Sequence, residues 1–325
     1  MLGRTIGGAI LALVATAAWA QKDAPPVALS PDVTMIPGSF ERGRQPDGNS
    51  VVFEGRDGLL VVDTGRHGWH RDRIAAFAKA RGRAIAAIIN THWHLDHTSG
   101  NIALKAAYPA AKVYGTRAID GALTGFLADG ASNGRAALAG GKLDPITVEE
   151  IETDLATIAA GAKLQPDIVV ERSGTMSIAG RPLEVHVAAN AATAADLWLY
   201  DRATGIAVVG DLVTLPAPFL DTACPEGWRT ALGEVAATPF TTLVPGHGAP
   251  MTRAQFATYR AAFDAVLDCA ATETATPVCA DAWVEAVTPL LANDERGQRA
   301  ARAMTEYYVA QVLRADGGKR KYCLV

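Results

Sequence analysis

The sequence predicts an α/β fold, a four-layer αβ/βα sandwich in which two packed sheets lie between outer layers of helices. Short β-like runs fall into two groups, one at residues 49–114 and one at 168–244, and helical segments lie between and after them. The chain has 325 residues, of which 49% are hydrophobic, so it can fill one large core or at most two smaller ones. We expect residues 21–325 to form a single domain.

The first group of strands begins with a hairpin. The runs 49–54 and 59–63 flank Arg56-Asp57-Gly58, a sequence that favours a turn. Residues 84–90 are almost continuously apolar, which is typical of a buried strand. The other elements predicted in this half are helices over 71–81 and 101–107 and a strand over 112–114.

The middle of the chain, about residues 116–165, is rich in Ala and Gly and is predicted to be a helical insertion. A capping box from Thr147 to Glu150 marks one helix start within it. We expect the insertion to cover a pocket and residues 215–224 to wall it. A helical C-terminal region, about 252–325, opens with a capping box at Thr252. The strands predicted between these helical parts are 168–171, 175–178, 183–188, 197–200, 206–209 and 241–244.

Residues 1–20 have the pattern of a secretory signal peptide. Arg4 supplies a positive charge, residues 6–18 are apolar, and Ala18-Trp19-Ala20 matches a small-x-small cleavage site. The apolar run is shorter than the roughly 20 residues that span a membrane, and no later segment is apolar enough to do so. We therefore predict cleavage after Ala20 and a periplasmic or secreted protein, with a buried N-terminal helix as the alternative.

Four cysteines follow the leader, and an oxidising compartment would permit two disulfides. Cys269 and Cys279 close a short loop between helical segments and are the preferred pair, which leaves Cys224 with Cys323. Four free thiols are the alternative. The net charge of −4 gives no basic patch for nucleic acid, so we expect a small-molecule substrate, and the oligomeric state is left open.

Four potential metal ligands lie within six residues directly after the buried strand at 84–90. They are His92, His94, Asp96 and His97. Imidazole and carboxylate together suit zinc or a similar transition metal. On a loop, the first two can point one way and the last two another, so the spacing suits two adjacent metal sites. A polar loop with incidental histidines is the alternative.

This run resembles the HxHxDH motif of the metallo-β-lactamase superfamily, through THWHLDHTSGN at residues 91–101. Three further segments resemble the family in order and spacing. They are LVVDTG at 60–65, VGD at 209–211 and PGHG at 245–248. Together the matching segments cover roughly residues 33–265.

The resemblance implies a metallo-β-lactamase fold and a zinc-dependent hydrolase with one or two ions. One ion would bind His92, His94 and a third histidine, the other would bind Asp96, His97 and His247, and Asp211 would lie between them. A metal-bound hydroxide would attack a lactam, lactone or other ester, because a bound metal lowers the pKa of water toward neutrality. Asp96 would orient the hydroxide, and Asp63 would support the histidine segment by hydrogen bonds.

The chain departs from the family at the third histidine, where it has Ala192. His67 and His70 are candidates to replace it, whereas His186 lies six residues away along a strand, roughly 20 Å if extended. Asn190 is close but is a weak zinc ligand.

Three consequences of Ala192 stay open. The site of Asp96, His97, Asp211 and His247 holds one metal alone, or both metals bind with water filling the gap, or hydrolysis is lost and a non-catalytic metal- or ligand-binding role is kept. The sequence favours metal binding at the site with Asp96 and His97. An iron-dependent oxidoreductase is a further, less favoured class.

Overall fold

A computed structural model describes residues 22–292 and 294–315 of the chain. The predicted signal peptide and Cys323 lie outside these residues, so cleavage after Ala20 and the second cysteine pair stay predictions. No helix within the described ranges has both the length and the apolar character needed to cross a bilayer.

The first sheet has seven strands that neighbour one another in chain order. Its strands are β1 (Val27–Ser30), β2 (Val33–Ile36), β3 (Ser50–Gly55), β4 (Gly58–Val62), β5 (Ile85–Ile89), β6 (Lys112–Gly115) and β7 (Ile168–Val169). Neighbours from β1 to β4 are antiparallel, and neighbours from β4 to β7 are parallel. Strands β1 and β2 were not predicted, because β1 is a short edge strand in a stretch rich in proline and polar residues.

The second sheet has five strands in the order β12-β11-β10-β9-β8. Its strands are β8 (Gly174–Ile178), β9 (Arg181–Ala189), β10 (Ala195–Asp201), β11 (Ile206–Thr214) and β12 (Thr242–His247). Strands β8 to β11 form an antiparallel meander, and β12 runs parallel to β11. Strands β11 and β12 extend further than their predicted runs, and both extensions carry polar residues of the candidate site.

Ten α-helices occur in the described residues. They are α1 (Gly68–Ala80), α2 (Leu95–Thr98), α3 (Asn101–Ala107), α4 (Ala118–Thr124), α5 (Phe126–Ala139), α6 (Pro145–Ala159), α7 (Pro225–Ala237), α8 (Arg253–Ala270), α9 (Thr276–Val287) and α10 (Glu295–Tyr307). Short 3₁₀ turns follow α6 and α9, and a π-helical segment, Tyr308–Leu313, follows α10. Helices α4 to α6 occupy the segment predicted to be an insertion.

Three apolar clusters define four layers. Residues such as Phe53 in β3 and Leu199 in β10 share one core between the two sheets. The outer face of the first sheet packs against α1 and α3, with Ile74 in the contact. The outer face of the second sheet packs against α7 to α10, where Trp228 and Phe263 are buried. The predicted αβ/βα sandwich is therefore confirmed.

Helix α6 begins earlier than its predicted capping box. Asp144 is the N-cap, and its carboxylate accepts hydrogen bonds from the backbone N–H groups of Ile146 (3.0 Å) and Thr147 (3.1 Å). Pro145 occupies the first helical position, where a missing N–H costs nothing. The capping box at Thr147 is therefore wrong, because the Asp-Pro pair is the stronger start signal.

Two other local predictions agree with the structure. Thr252 and Gln255 form a reciprocal capping box at the start of α8. Cys269 and Cys279 form a disulfide with their Cα atoms 5.7 Å apart, and this bond joins the end of α8 to α9.

Candidate metal centre

The segment that carries the histidines leaves the C-terminal end of β5 and turns directly into α2. Asp96 and His97 therefore lie on a short helix rather than on the predicted loop. The turn is held by the backbone N–H of His97 and the hydroxyl of Thr98, which both donate to the carbonyl of His94 at 3.0 Å. Four residues are too few for a helical period to be visible in the sequence.

Six predicted metal ligands converge in two adjacent clusters. The donor atoms within each cluster lie within 4.8 Å of one another, and all six residues are buried. One cluster is His92, His94 and Asp211, and the other is Asp96, His97 and His247. The structure thus brings together every residue that the sequence predicted as a ligand.

Asp211, at the end region of β11, lies between the two clusters. Its Oδ2 atom is 3.7 Å from Nε2 of His92 and 4.0 Å from Nδ1 of His94. Its Oδ1 atom is 3.2 Å from Nε2 of His97 and 3.5 Å from Nε2 of His247. One carboxylate oxygen therefore faces each cluster, which is the arrangement needed to bridge two cations.

The second cluster is the tighter of the two. Nε2 of His247 is 3.0 Å from Oδ2 of Asp96 and 3.3 Å from Nε2 of His97. With Asp211 Oδ1, this cluster presents two imidazole nitrogens and two carboxylate oxygens toward one point, a donor set that suits zinc.

The electrostatics of the two clusters fit a bound cation. Burial opposes the charged form of His97, but the carboxylates of Asp211, Asp63 and Asp96 hold its pKa well above the ordinary value. Burial lowers the pKa of His92 well below its usual range. Within the described residues, Nε2 of His92 and Oδ1 of Asp211 are buried atoms without a hydrogen-bond partner. A bound divalent ion would neutralise the charge of the buried carboxylates and would give these two atoms a partner.

Asp63 supports the histidine segment. Its carboxylate accepts from the backbone N–H of Thr91 at 2.8 Å and from the Thr91 hydroxyl at 2.7 Å. Oδ2 also lies 2.8 Å from Nδ1 of His97. That contact favours a proton on Nδ1, so Nε2, which faces the cluster, is the nitrogen that would lose its proton and bind a metal ion.

Two glycines permit the close approach of chain segments at the site. A Cβ atom on Gly246 would lie 2.0 Å from Oδ1 of Asp211, and one on Gly48 would lie 2.4 Å from the ring of His97. Asn49 joins the sheets beside them, since its amide donates to the carbonyls of Pro245 (3.0 Å) and Gly248 (2.9 Å).

Ala192 is buried beside the first cluster, and a hydroxyl group lies next to it. Thr222 donates from Oγ1 to the carbonyl of Ala192 at 3.0 Å and lies 3.0 Å from Nε2 of His94. Nδ1 of His94 faces Asp211, so Thr222 contacts the opposite side of the ring and does not replace the third ligand. Thr222 was not predicted from the sequence, because it lies 30 residues from Ala192 and outside any motif.

None of the candidate replacements reaches the clusters. His67 lies between Asp47 (2.9 Å) and Glu150 (3.0 Å). His70 has Nε2 at 2.8 Å from the hydroxyl of Ser50, and burial lowers its pKa to about 4. His186 stacks on Trp198 with ring centroids 3.7 Å apart.

A pocket of about 360 Å³ opens onto the clusters. Helices α5 and α6 of the insertion line one side, and residues 215–219 line another, as the sequence analysis expected. Trp93 also lines this pocket and contacts Phe126 with ring centroids 5.7 Å apart. Arg66, which was not predicted, lies at the pocket with its guanidinium 4.0 Å from Asp96.

Comparisons with known proteins agree with this architecture. Residues 43–247 match the model of the metallo-beta-lactamase superfamily. A stretch of 44 residues, 14% of this chain, is 50% identical to a hydroxyacylglutathione hydrolase of Synechococcus sp. (strain JA-3-3Ab) and spans 18% of that protein. The match covers too little of that relative to indicate that this chain shares its activity.

Two solved structures share the fold. A metallo-beta-lactamase from Pontibacter korlensis is 17% identical with a TM-score of 0.55, over 74% of this chain and 98% of that one. A metallo beta lactamase from Hirschia baltica is 18% identical with a TM-score of 0.53, over 74% of this chain and 96% of that one. At such identities the likeness concerns the fold alone.

Proposed function

The chain belongs to the metallo-beta-lactamase superfamily, and from this we propose that it is an exported zinc-dependent hydrolase acting on a lactam, lactone or other ester. The resemblance seen in the histidine motif is thereby confirmed. The observation that carries the proposal is the pair of buried donor clusters with one oxygen of Asp211 facing each. The names of the relatives, a metallo-beta-lactamase and a hydroxyacylglutathione hydrolase, support hydrolysis at an acyl centre.

We assign the more secure zinc site to Asp96, His97, His247 and Asp211. The cluster of His92 and His94 has two imidazoles and Asp211, with Ala192 where the third histidine is expected, so we propose that it binds zinc weakly. When bound, zinc lowers the pKa of water and polarises a carbonyl oxygen.

Asp96 is the proposed catalytic carboxylate. Its Oδ2 faces His247 at 3.0 Å, while its Oδ1 faces the guanidinium of Arg66 at 4.0 Å. Burial opposes its charge, but His97, His247 and Arg66 hold the pKa of Asp96 below the ordinary range. The carboxylate is thus ionised across the physiological range, and Oδ1 can accept a hydrogen bond from a water molecule and orient it.

Export is proposed from the leader sequence. The disulfide between Cys269 and Cys279 suits an oxidising compartment such as the periplasm. Fractionation of cells that express the full chain, followed by N-terminal sequencing, tests this. Export predicts that the protein is recovered in the periplasm with Gln21 as its first residue.

A second candidate function is a non-catalytic metal- or ligand-binding role. The observation that favours it is Ala192, which removes one donor from the first cluster. The two candidates differ in whether substrate is turned over when zinc is present.

Hydrolysis of nitrocefin, a simple lactone and a p-nitrophenyl ester separates them. We expect turnover of at least one substrate, loss of turnover after chelation, and recovery with zinc. His247→Ala serves as the matched variant and is expected to lose most activity. Zinc binding without turnover of any substrate would favour the binding role.

A further inference from the structure

We infer that the substrate is a neutral ester or lactone that carries an aliphatic chain, and that this chain lies in the pocket between the metal centre and the insertion helices. The inference rests on the proposed function, because it names the substrate class of the same site. It narrows the choice among lactams, lactones and esters that the fold leaves open.

The walls of the pocket are predominantly apolar. Leu155 and Ile158 of α6 line it together with Phe126, Phe219 and Met304, and the rings of Phe126 and Phe219 meet edge to face with centroids 6.3 Å apart. The volume of about 360 Å³ is at the lower end of the range for small-molecule sites. Such a lining gains free energy by removing methylene groups from water and offers few partners to a polar substituent.

The charge at the pocket is already compensated. Among the described residues that line it, Arg66 is the only lysine or arginine. Its guanidinium is 2.5 Å from the carboxylate of Asp154 on α6 and 4.0 Å from Asp96. An anionic substituent in the pocket would meet a guanidinium whose charge is already paired and whose one unpartnered nitrogen, Nε, is buried, and it would lie near the carboxylate of Asp154.

These two features point to the same substrate class. A substrate with a carboxylate beside its scissile bond, such as a β-lactam, would be desolvated in an apolar pocket whose arginine is engaged. A neutral acyl ester or alkyl-substituted lactone would place its carbonyl at the clusters and its chain against α5 and α6. In this arrangement the insertion helices select the aliphatic chain of the substrate.

A series of p-nitrophenyl esters with acyl groups of increasing length tests whether the pocket binds an aliphatic chain. From acetate to hexanoate we expect kcat/KM to rise at least tenfold, because each buried methylene is worth up to about fourfold. Mono-p-nitrophenyl adipate has nearly the same length but ends in a carboxylate, and we expect at least tenfold lower kcat/KM than for the hexanoate. A flat or falling series, or an adipate ester cleaved as well as the hexanoate, would overturn the inference.

Matched variants on α6 test which contacts are responsible. Leu155→Asn is expected to reduce the ratio of hexanoate to acetate activity at least fivefold, whereas Ala156→Asn, on the exposed side of the helix, leaves it unchanged. Asp154→Asn is expected to release Arg66 and reduce the preference for hexanoate over adipate at least fivefold. Glu152→Gln makes the same charge change at an exposed position of α6 and serves as its control.

Failure of the inference and failure of the proposed function give different results. If no ester, lactone or lactam is cleaved, the proposed function fails, and calorimetric titration still tests the pocket. Binding of N-methylhexanamide at least tenfold tighter than N-methyladipamate, the amide of the same length that ends in a carboxylate, supports the inference, and equal binding or preference for the adipamate overturns it. If esters are cleaved but nitrocefin is the better substrate, only the inference fails.

Discussion

Thr222 shows how a single hydroxyl group sets the orientation of a candidate ligand. Its hydroxyl donates to the carbonyl of Ala192 and lies next to Nε2 of His94, so it accepts from the tautomer that carries its proton on Nε2 and leaves the lone pair of Nδ1 facing Asp211. Partners of this kind, behind metal ligands, fix the ring and its proton. Asp63 has the same role for His97. Of these two orienting residues, only Asp63 was predicted from the sequence, because it follows a strand in a recognisable motif.

Thr222→Val keeps the shape of the side chain and removes the hydroxyl. We expect zinc affinity at the first cluster to fall about tenfold, because His94 loses the partner that fixes its tautomer. Imidazole nitrogen NMR should show His94 populating both tautomers in this variant. Thr222→Ser retains the hydroxyl and is the control, and a valine variant with an unchanged His94 spectrum would refute this role.

Ala192→His tests whether the first cluster lacks only a third imidazole. We expect the bound zinc to rise from about one ion per chain to about two, since three nitrogen ligands and Asp211 would complete a four-coordinate site. Elemental analysis of the purified protein measures this directly. Ala192→Leu fills similar space without a donor and should leave the zinc content unchanged. A histidine variant that binds no more zinc than this control would count against the account.

At the scale of elements, helix α7 was not predicted, whereas the central strands and helices α1, α3 and α8 were predicted well because their periods are strong. The short elements were not, because β1 is an edge strand within a polar stretch and α2 has only four residues. The start of α6 was predicted too late, because Asp144 and Pro145, and not Thr147, provide the start signal. The contact that docks α6 was also beyond prediction, since His67 and Glu150 are 83 residues apart.

The docking of α6 depends on a buried imidazole between two carboxylates. Burial lowers the pKa of His67, but hydrogen bonds and charge from Asp47 and Glu150 raise it above its ordinary value. Its stabilising contribution is therefore complete below the unfolded-state pKa and is lost as pH rises through the folded-state pKa. The pKa values of Asp47 and Glu150 are lowered despite burial, so their contribution is lost toward acid pH.

His67→Gln removes the charge and keeps a hydrogen-bonding group. We expect α6 to exchange its amide hydrogens faster in this variant, with protection that no longer falls as pH rises above neutral. Hydrogen exchange corrected for the intrinsic rate at each pH measures this, and α8 serves as the internal reference. Equal protection of α6 in both proteins at every pH would show that His67 does not hold the helix.

For the whole molecule, the fold explains why ligands distant in sequence meet. The extended ends of β11 and β12 carry Asp211 and His247, and the end of β5 carries the histidine segment of the first sheet. Asn49 ties the first sheet to the end of β12 through two carbonyls. The motif order predicted this assembly, whereas the apolar pocket and the pairing of Arg66 with Asp154 depend on how the insertion packs, which no local pattern specifies.

The zinc content of the purified protein, measured in parallel with its ester hydrolysis, decides whether the site of Asp96, His97, His247 and Asp211 is a zinc centre. We expect about one firmly bound zinc ion per chain, lost together with hydrolysis on chelation and restored with it. His247→Ala should lose this ion, whereas His94→Ala should retain it, because the secure site uses Asp96, His97 and His247. Zinc at trace levels in an active protein, or an ion lost from His94→Ala but kept in His247→Ala, would contradict the account.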